Sequence, residues 1–327
     1  MKRFKNILYV IASGDLDTSA FARAISLAEN NQARLTLVDV IPSSVAGTPM
    51  SGDEPCPLDT PTTAISSRMD ALASLIEPFR SRLDVHGEVL TGSASAAIVR
   101  AVLRQGYGLV IKPIDRPSFV ERLLGGEDMN LLRKCPCPVW LTQPSEPSDY
   151  KTILAAVDVD PDDVDGIEPG LNQQILALSS SLALSDFATL HLVHVWDAPG
   201  DMIIRTRSES PDAVSMSYLN DVRLRHEGGL DRLTKQLKAH LGPDAYDYLA
   251  PRVHLRQGMA STVIPEMAEQ LRADLVVMGT VVRTGIAGFL LGNTAEAMLN
   301  RLKCSLLVVK PPGFVSPMAL EEPSSDT

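Results

Sequence analysis

The chain is short of cations: 30 Lys and Arg stand against 40 Asp and Glu, a formal net charge of -10 at pH 7 and a pI near 5.1. Proteins whose main partner is a phosphate backbone concentrate Lys and Arg, so nucleic acid is excluded as a principal partner. Long apolar runs are also missing. Even "LVVMGTVV" is bounded by Asp274 and Arg283, well short of the roughly 20 apolar residues that span a bilayer. The basic start Met1-Lys-Arg-Phe-Lys is followed by an apolar run, Ile7 to Ala12, too short for a signal peptide. A soluble, cytoplasmic protein without membrane contact is expected. Cysteine is scarce too: Cys56, Cys135, Cys137 and Cys304. Cys135-Pro-Cys137 has no further ligands at zinc-site spacing nearby, so reduced thiols are expected rather than a metal or redox centre. No serine sits on a Gly-x-Ser-x-Gly turn, and no Ser/His/Asp arrangement can be placed.

What the chain does have is internal repetition. "FKNILYVIASGD" (4–15) returns as "YKTILAAVDVDP" (150–161), and "RLTLVDV" (34–40) as "TLHLVHV" (189–195). "GSASAAIVRAV" (92–102) pairs with "GMASTVIPEMA" (258–268), and "LLGGEDMNLLRKCPCPVWLTQP" (123–144) with "LLGNTAEAMLNRLKCSLLVVKPP" (290–312). Four blocks in one order make two copies of one domain, a division that a 327-residue chain has the length for. The boundaries read as domain 1–144, a Pro/Ser linker 145–149, domain 150–313 and a flexible tail 314–327.

Within each copy, short Val/Ile/Leu runs alternate with segments of helical period. In the second copy 153–157, 190–195, 253–255, 275–278 and 306–309 read as strands, and 173–184, 218–241, 261–271 and 294–302 as helices. Residues 61–83 read as the long helix of the first copy. The segments before the long helices, 41–60 and 196–217, read as irregular loops, either lids or disorder. Continuous apolar strands separated by helices predict parallel sheets covered on both faces. The expected fold class is therefore α/β, with two tandem doubly wound parallel-sheet (Rossmann-like) domains. Ligands of such sheets sit outside the carboxyl ends of the strands, where strand order reverses.

At one such place the fourth strand of the second copy runs into "MGTVVRTGIAGFLLGNTAE" (278–296). Glycines let backbone N–H groups approach an anion, and a helix N-terminus adds donors and the positive end of its dipole. Asn293 or Thr294 also suits the N-cap of an empty helix. From the residues alone, a phosphate cradle and an ordinary surface turn both stand.

The order of the pieces resembles the universal stress protein superfamily: a strand ending in Val-Asp, a second ending in His-Val, "ADLVVMGT", a glycine loop, "LLGNTAE", and a last strand entered through a cysteine. The resemblance covers both halves and looks like the tandem E type of bacteria. It implies a stress-response role and, in the second domain, an adenine nucleotide, ATP or AMP, with Mg possible. By the same resemblance Asp158 stands where an aspartate meets adenine and the metal-phosphate region, and Val195 where a backbone meets adenine. Gly279 and Gly292 match the first and third glycines of G-x2-G-x9-G-[S/T]. Val282 replaces the second glycine and Asn293 the Ser or Thr. The valine is a β-branched departure that resists φ > 0, whereas Asn293 can still cap or donate. Thr294 follows at the helix start, and Arg283 is the loop's nearest cation, read as a solvated charge or a phosphate contact.

In the first copy Ala12 replaces Asp158, Pro113 stands opposite Gly279, and Glu127-Asp128 occupies the helix start, where two carboxylates repel phosphate. No nucleotide is expected there. His191 and His194, three apart on a strand, point to opposite faces and cannot share a metal. His194 reads as a packing or backbone-bonding residue, and nothing recommends His226. The family's members pair through their last strands, which implies antiparallel pairing of 139–142 with 306–309 inside this chain, with a further homodimer possible. No catalytic residue is assigned. The alternatives are a protein-interaction scaffold that binds no nucleotide and a slow Mg-dependent ATPase using Asp158.

Overall fold

The computed structural model of the protein describes residues 4–11, 16–42, 61–114, 126–144, 147, 149–160, 170–207, 210–280, 297–298 and 301–318. The chain divides into two compact units. The first holds Met1–Asp149 together with Ser305–Thr327, and the second begins at Tyr150.

In the first unit the order is β1 (Asn6–Val10), α1 (Thr18–Asn31), β2 (Arg34–Ile41), α2 (Pro61–Ile76), β3 (Val85–Thr91), α3 (Ala94–Gln105), β4 (Leu109–Pro113), α4 (Glu127–Lys134) and β5 (Val139–Thr142). The sheet runs β3-β2-β1-β4-β5, all parallel. Ile7, Leu8, Tyr9, Leu109, Val110 and Ile111 have no solvent exposure, as strands covered on both faces require. Helix α1 starts where Asp17 accepts hydrogen bonds from the Ser19 and Ala20 N–H groups, both 3.1 Å. The helix read over 61–83 ends at Ile76 instead, passing into a 3-10 turn over Glu77–Phe79. Pro78 explains the break, since it supplies no N–H and crowds the preceding turn.

In the second unit follow β6 (Thr152–Ala156), α5 (Leu171–Asp186), β7 (Thr189–Trp196), α6 (Asp201–Arg207), α7 (Pro211–Leu241), α8 (Pro243–Leu249), β8 (Arg252–Gln257), α9 (Ala260–Leu271) and β9 (Leu275–Gly279). The parallel order is β9-β6-β7-β8. Part of the segment read as an irregular loop, 196–217, is helical: α6 occupies its middle and α7 begins at Pro211. Asp201 holds the pair, salt-bridged to Arg205 at 2.9 Å and accepting from the Ser215 hydroxyl. The other such segment, 41–60, lies outside the described residues beyond Pro42.

The remaining strand, β10 (Ser305–Val309), belongs to the second repeat in sequence but to the first unit in space. It lies antiparallel to β5 with Leu306↔Leu141, Leu307↔Trp140 and Val308↔Val139 in register, the strand pairing expected for 139–142 and 306–309. The Gln143 N–H donates to Ser305 Oγ at 2.9 Å beside it.

Candidate functional site at the carboxyl ends of β6, β7 and β9

The second repeat starts in the middle of its sheet. β6 pairs with β7 on one side and β9 on the other, so strand order reverses between β6 and β9, the place where ligands of such sheets sit at the carboxyl ends. The last registered pairs are Ala156↔Val193 and Ala155↔Val277. Beyond them β6 turns away as Val157-Asp158-Val159, and Val195 lies past the end of its pairing with β6.

Asp158 is anchored by its backbone. Its N–H donates to Asn172 Oδ1 at 3.0 Å, and its carbonyl accepts from Asn172 Nδ2 at 2.5 Å. The side chain is 61% exposed, with Oδ1 4.0 Å from His194 Nδ1. The structure thus brings Asp158, Val195 and Gly279 to one end of one sheet. Val282, Arg283, Gly292, Asn293 and Thr294 lie outside the described residues.

Thr280, one residue past β9, is a member of the site that motif reading passed over. It is 3% exposed, and its Oγ1 has no hydrogen-bond partner among the described residues. Leaving a buried hydroxyl unsatisfied costs about 1–3 kcal/mol, so this position calls for a polar partner. Gly279 is explained differently. A Cβ there would stand 2.5 Å from Leu171 Cδ2, so the glycine lets the first turn of α5 close onto β9.

Histidines pack beneath the same strand ends. His194, 1% exposed, receives the Val159 N–H on Nδ1 at 3.3 Å, while its Nε2 lies 2.8 Å from His226 Nδ1 on α7. His226 in turn stacks on Trp196, with ring centroids 5.9 Å apart. His194 is therefore the backbone-bonding residue expected. The role of His226 was missed, although Val222, His226 and Leu230 are spaced four apart and Val222 and Leu230 are buried. His191 meets a different partner, with Nδ1 2.8 Å from His254 Nε2 and the rings stacked. Burial, with His254 and Arg252 nearby, pushes His191 down to about 4. No cluster of three or more His, Cys, Asp or Glu suited to a metal occurs among the described residues.

In the first unit the two carboxylates at the start of α4 are engaged by the protein itself. Glu127, at the start of α4, reaches the N-terminus of α3, accepting from the Ser95 N–H at 2.6 Å and the Ser93 hydroxyl at 2.9 Å. Burial raises this carboxyl, but the hydrogen bonds from Ser95 and Ser93 outweigh it and hold Glu127 below the usual range. Asp128 forms an ion pair at 2.8 Å with Lys112, which is buried on β4. Ala12, the counterpart of Asp158, lies outside the described residues.

No helix among the described residues is long and apolar enough to cross a membrane. The sequence pattern of the Universal stress protein family matches residues 3–143 and again 149–310. A universal stress protein E homolog of Haemophilus influenzae is 30% identical over 322 residues, covering 94% of this chain and 98% of that protein. Universal stress protein E of Escherichia coli K12 is 31% identical over 232 residues, 70% of this chain and 69% of that one. Among solved structures, a universal stress protein of Pseudomonas aeruginosa superposes with a TM-score of 0.65 at 26% identity, covering 95% of this chain and 94% of its own. With both repeats matched, and with parallel α/β sheets in both units, the chain belongs to the universal stress protein family.

Proposed function

We propose that this chain is a cytoplasmic stress-response protein whose second unit binds an adenine nucleotide, ATP or AMP, at the carboxyl ends of β6, β7 and β9. The observation that carries the reading is the buried Thr280 hydroxyl, unpartnered among the described residues and placed directly after β9 at the strand-order reversal. Asp158 and the Val195 backbone stand across the same strand ends, where the family's nucleotide-binding members hold adenine. By the family resemblance the following segment supplies Gly292, Asn293 and Thr294 to the phosphates, with Val282 in the place of the second glycine and Arg283 as the nearest cation. Asp158 is the residue that would hold Mg with the nucleotide. The first unit binds none, because Glu127 and Asp128 stand at the start of α4, where carboxylates repel phosphate, and Asp128 already pairs with Lys112.

The test is to denature freshly purified protein and identify released small molecules by mass spectrometry, in the native sequence and in Asp158→Ala, Thr280→Val and Gly292→Asp. Adenine nucleotide near one per chain, lost in Asp158→Ala and Gly292→Asp and reduced in Thr280→Val, is expected. A protein that emerges empty and ignores millimolar added ATP refutes the reading. That result would favour an interaction scaffold, for which the Leu171 contact already accounts for Gly279 without any ligand.

A further inference from the structure

Cys135 and Cys137 flank Pro136 between α4 and β5, and the fold holds both sulfurs in place. The Cys135 N–H donates to the Leu131 carbonyl at 2.9 Å as α4 ends, and the Pro138 carbonyl accepts from Val110 at 3.0 Å as β5 begins. The two Sγ atoms lie 3.5 Å apart; Cys135 has no exposure and Cys137 8%. Onto this pair the fold brings a residue far away in sequence. Lys310, immediately after β10, is 4% exposed. Its ammonium donates to the Leu132 carbonyl and lies 4.5 Å from the Phe314 ring centroid.

Among the described residues no carboxylate pairs with Lys310. A buried ammonium without an anion is unfavourable, and burial pushes Lys310 down to about 8 while the two thiols oppose that shift. The thiols respond in turn. Burial raises Cys135, but the hydrogen bond from Cys137, together with the field of Lys310, brings it below its ordinary value. Cys137 is driven up by that same hydrogen bond and by burial. The two sulfurs are therefore held in contact with each other, within the field of a buried cation.

We propose that Cys135 and Cys137 form a two-electron oxidation site that accepts a small hydroperoxide and closes to a disulfide. The Cys135 sulfur attacks the outer oxygen of ROOH, the O–O bond breaks, and the alkoxide leaves as ROH with the proton from the Cys135 thiol. The resulting sulfenic acid is attacked by the Cys137 sulfur. Its S–O bond breaks, and hydroxide leaves as water with the Cys137 proton. Two thiols are oxidised, the hydroperoxide is reduced, and Lys310 keeps its proton. The sulfurs need only close from 3.5 Å to about 2.05 Å. Burial selects a small oxidant over a bulky disulfide. Oxidation also removes the two ionisable thiols that oppose the downward shift of Lys310.

The experiment exposes the native full-length chain to hydrogen peroxide, then denatures it, alkylates it and counts modified cysteines site by site. Cys304, which is less buried, serves as the reference within the same molecule. Expected is loss of two hydrogens from the 135–137 peptide before Cys304 is oxidised. Cys137→Ser should stop at a Cys135 sulfenic acid captured by dimedone, and Lys310→Met should slow the reaction while the pair remains intact. Oxidation of the pair no faster than Cys304, or a Cys137→Ser protein in which dimedone never labels Cys135, overturns the proposal. If Lys310→Met does not fold, the native chain and Cys137→Ser still decide the matter.

Discussion

Two neighbouring glycines in α7 should respond oppositely to the same substitution. Gly228 and Gly229 both lie inside the helix, where alanine is favoured over glycine by about 0.8–1.0 kcal/mol. A Cβ at Gly228 meets nothing within 4 Å, so Gly228→Ala should be stabilising by most of that amount. A Cβ at Gly229 would stand 2.1 Å from Val159 Cγ1, and Val159 is buried. Overpacking of this kind costs typically about 1–3 kcal/mol and occasionally more. Because the helical gain is common to both, the two variants should differ by about 1–3 kcal/mol. At roughly 2–4 °C per kcal/mol for a unit of this size, that difference is resolved by calorimetry or by urea titration. Val159→Ala in the Gly229→Ala background removes the offending methyl and should recover most of the loss, giving a coupling energy of about 1–3 kcal/mol in a double-mutant cycle. Equal shifts of one sign from the two glycines would refute close packing of α7 on Val159, just past β6, through Gly229. The same seating holds Val159, whose N–H donates to His194, so Gly229→Ala should also lower occupancy of the proposed nucleotide site while Gly228→Ala leaves it unchanged.

Asp17→Ala removes the acceptor of two N–H groups at the start of α1 and should be destabilising by about 1 kcal/mol, measured by urea titration, with Asp17→Ser close to native. Glu127 is held below its ordinary value of 4.5, so its contribution is complete above that pH and is lost as pH falls through the lower folded value. Melts of Glu127→Gln should show a shallower acid limb than the native chain. His191 is pushed down from 6.5 to about 4, so between those values the unfolded chain takes up a proton that the folded one excludes, and stability falls as pH drops across that window. His191→Gln should flatten that slope, and a native melting temperature constant from pH 7 to 5 would contradict the burial of this ring.

The fold class was legible because its evidence is local. Apolar runs long enough for buried strands alternate with helical periods, and the repeat shows that whatever the first copy forms the second forms again. Asp158, Val195 and Gly279 could be placed at strand ends for the same reason, since a parallel α/β order implies where its loops lie. The helix over Asp201–Arg207 was not legible, because part of its support comes from Ser215 on the following helix. Gly279 carried two meanings in the sequence, and only the position of Leu171 shows that packing by itself already favours a glycine there. His226 looked like any polar residue of a long helix until α7 brought it to His194, 32 residues away. Lys310 lies 178 residues from Leu132 in the chain, yet its ammonium donates to that carbonyl at the end of α4, beside Cys135 and Cys137. The sequence by itself determined the elements, their doubling and the strand ends to inspect, all of which depend on short-range periodicity. Tertiary structure alone decided which buried polar groups meet, because those partners are chosen by how helices and strands close over one another across long separations.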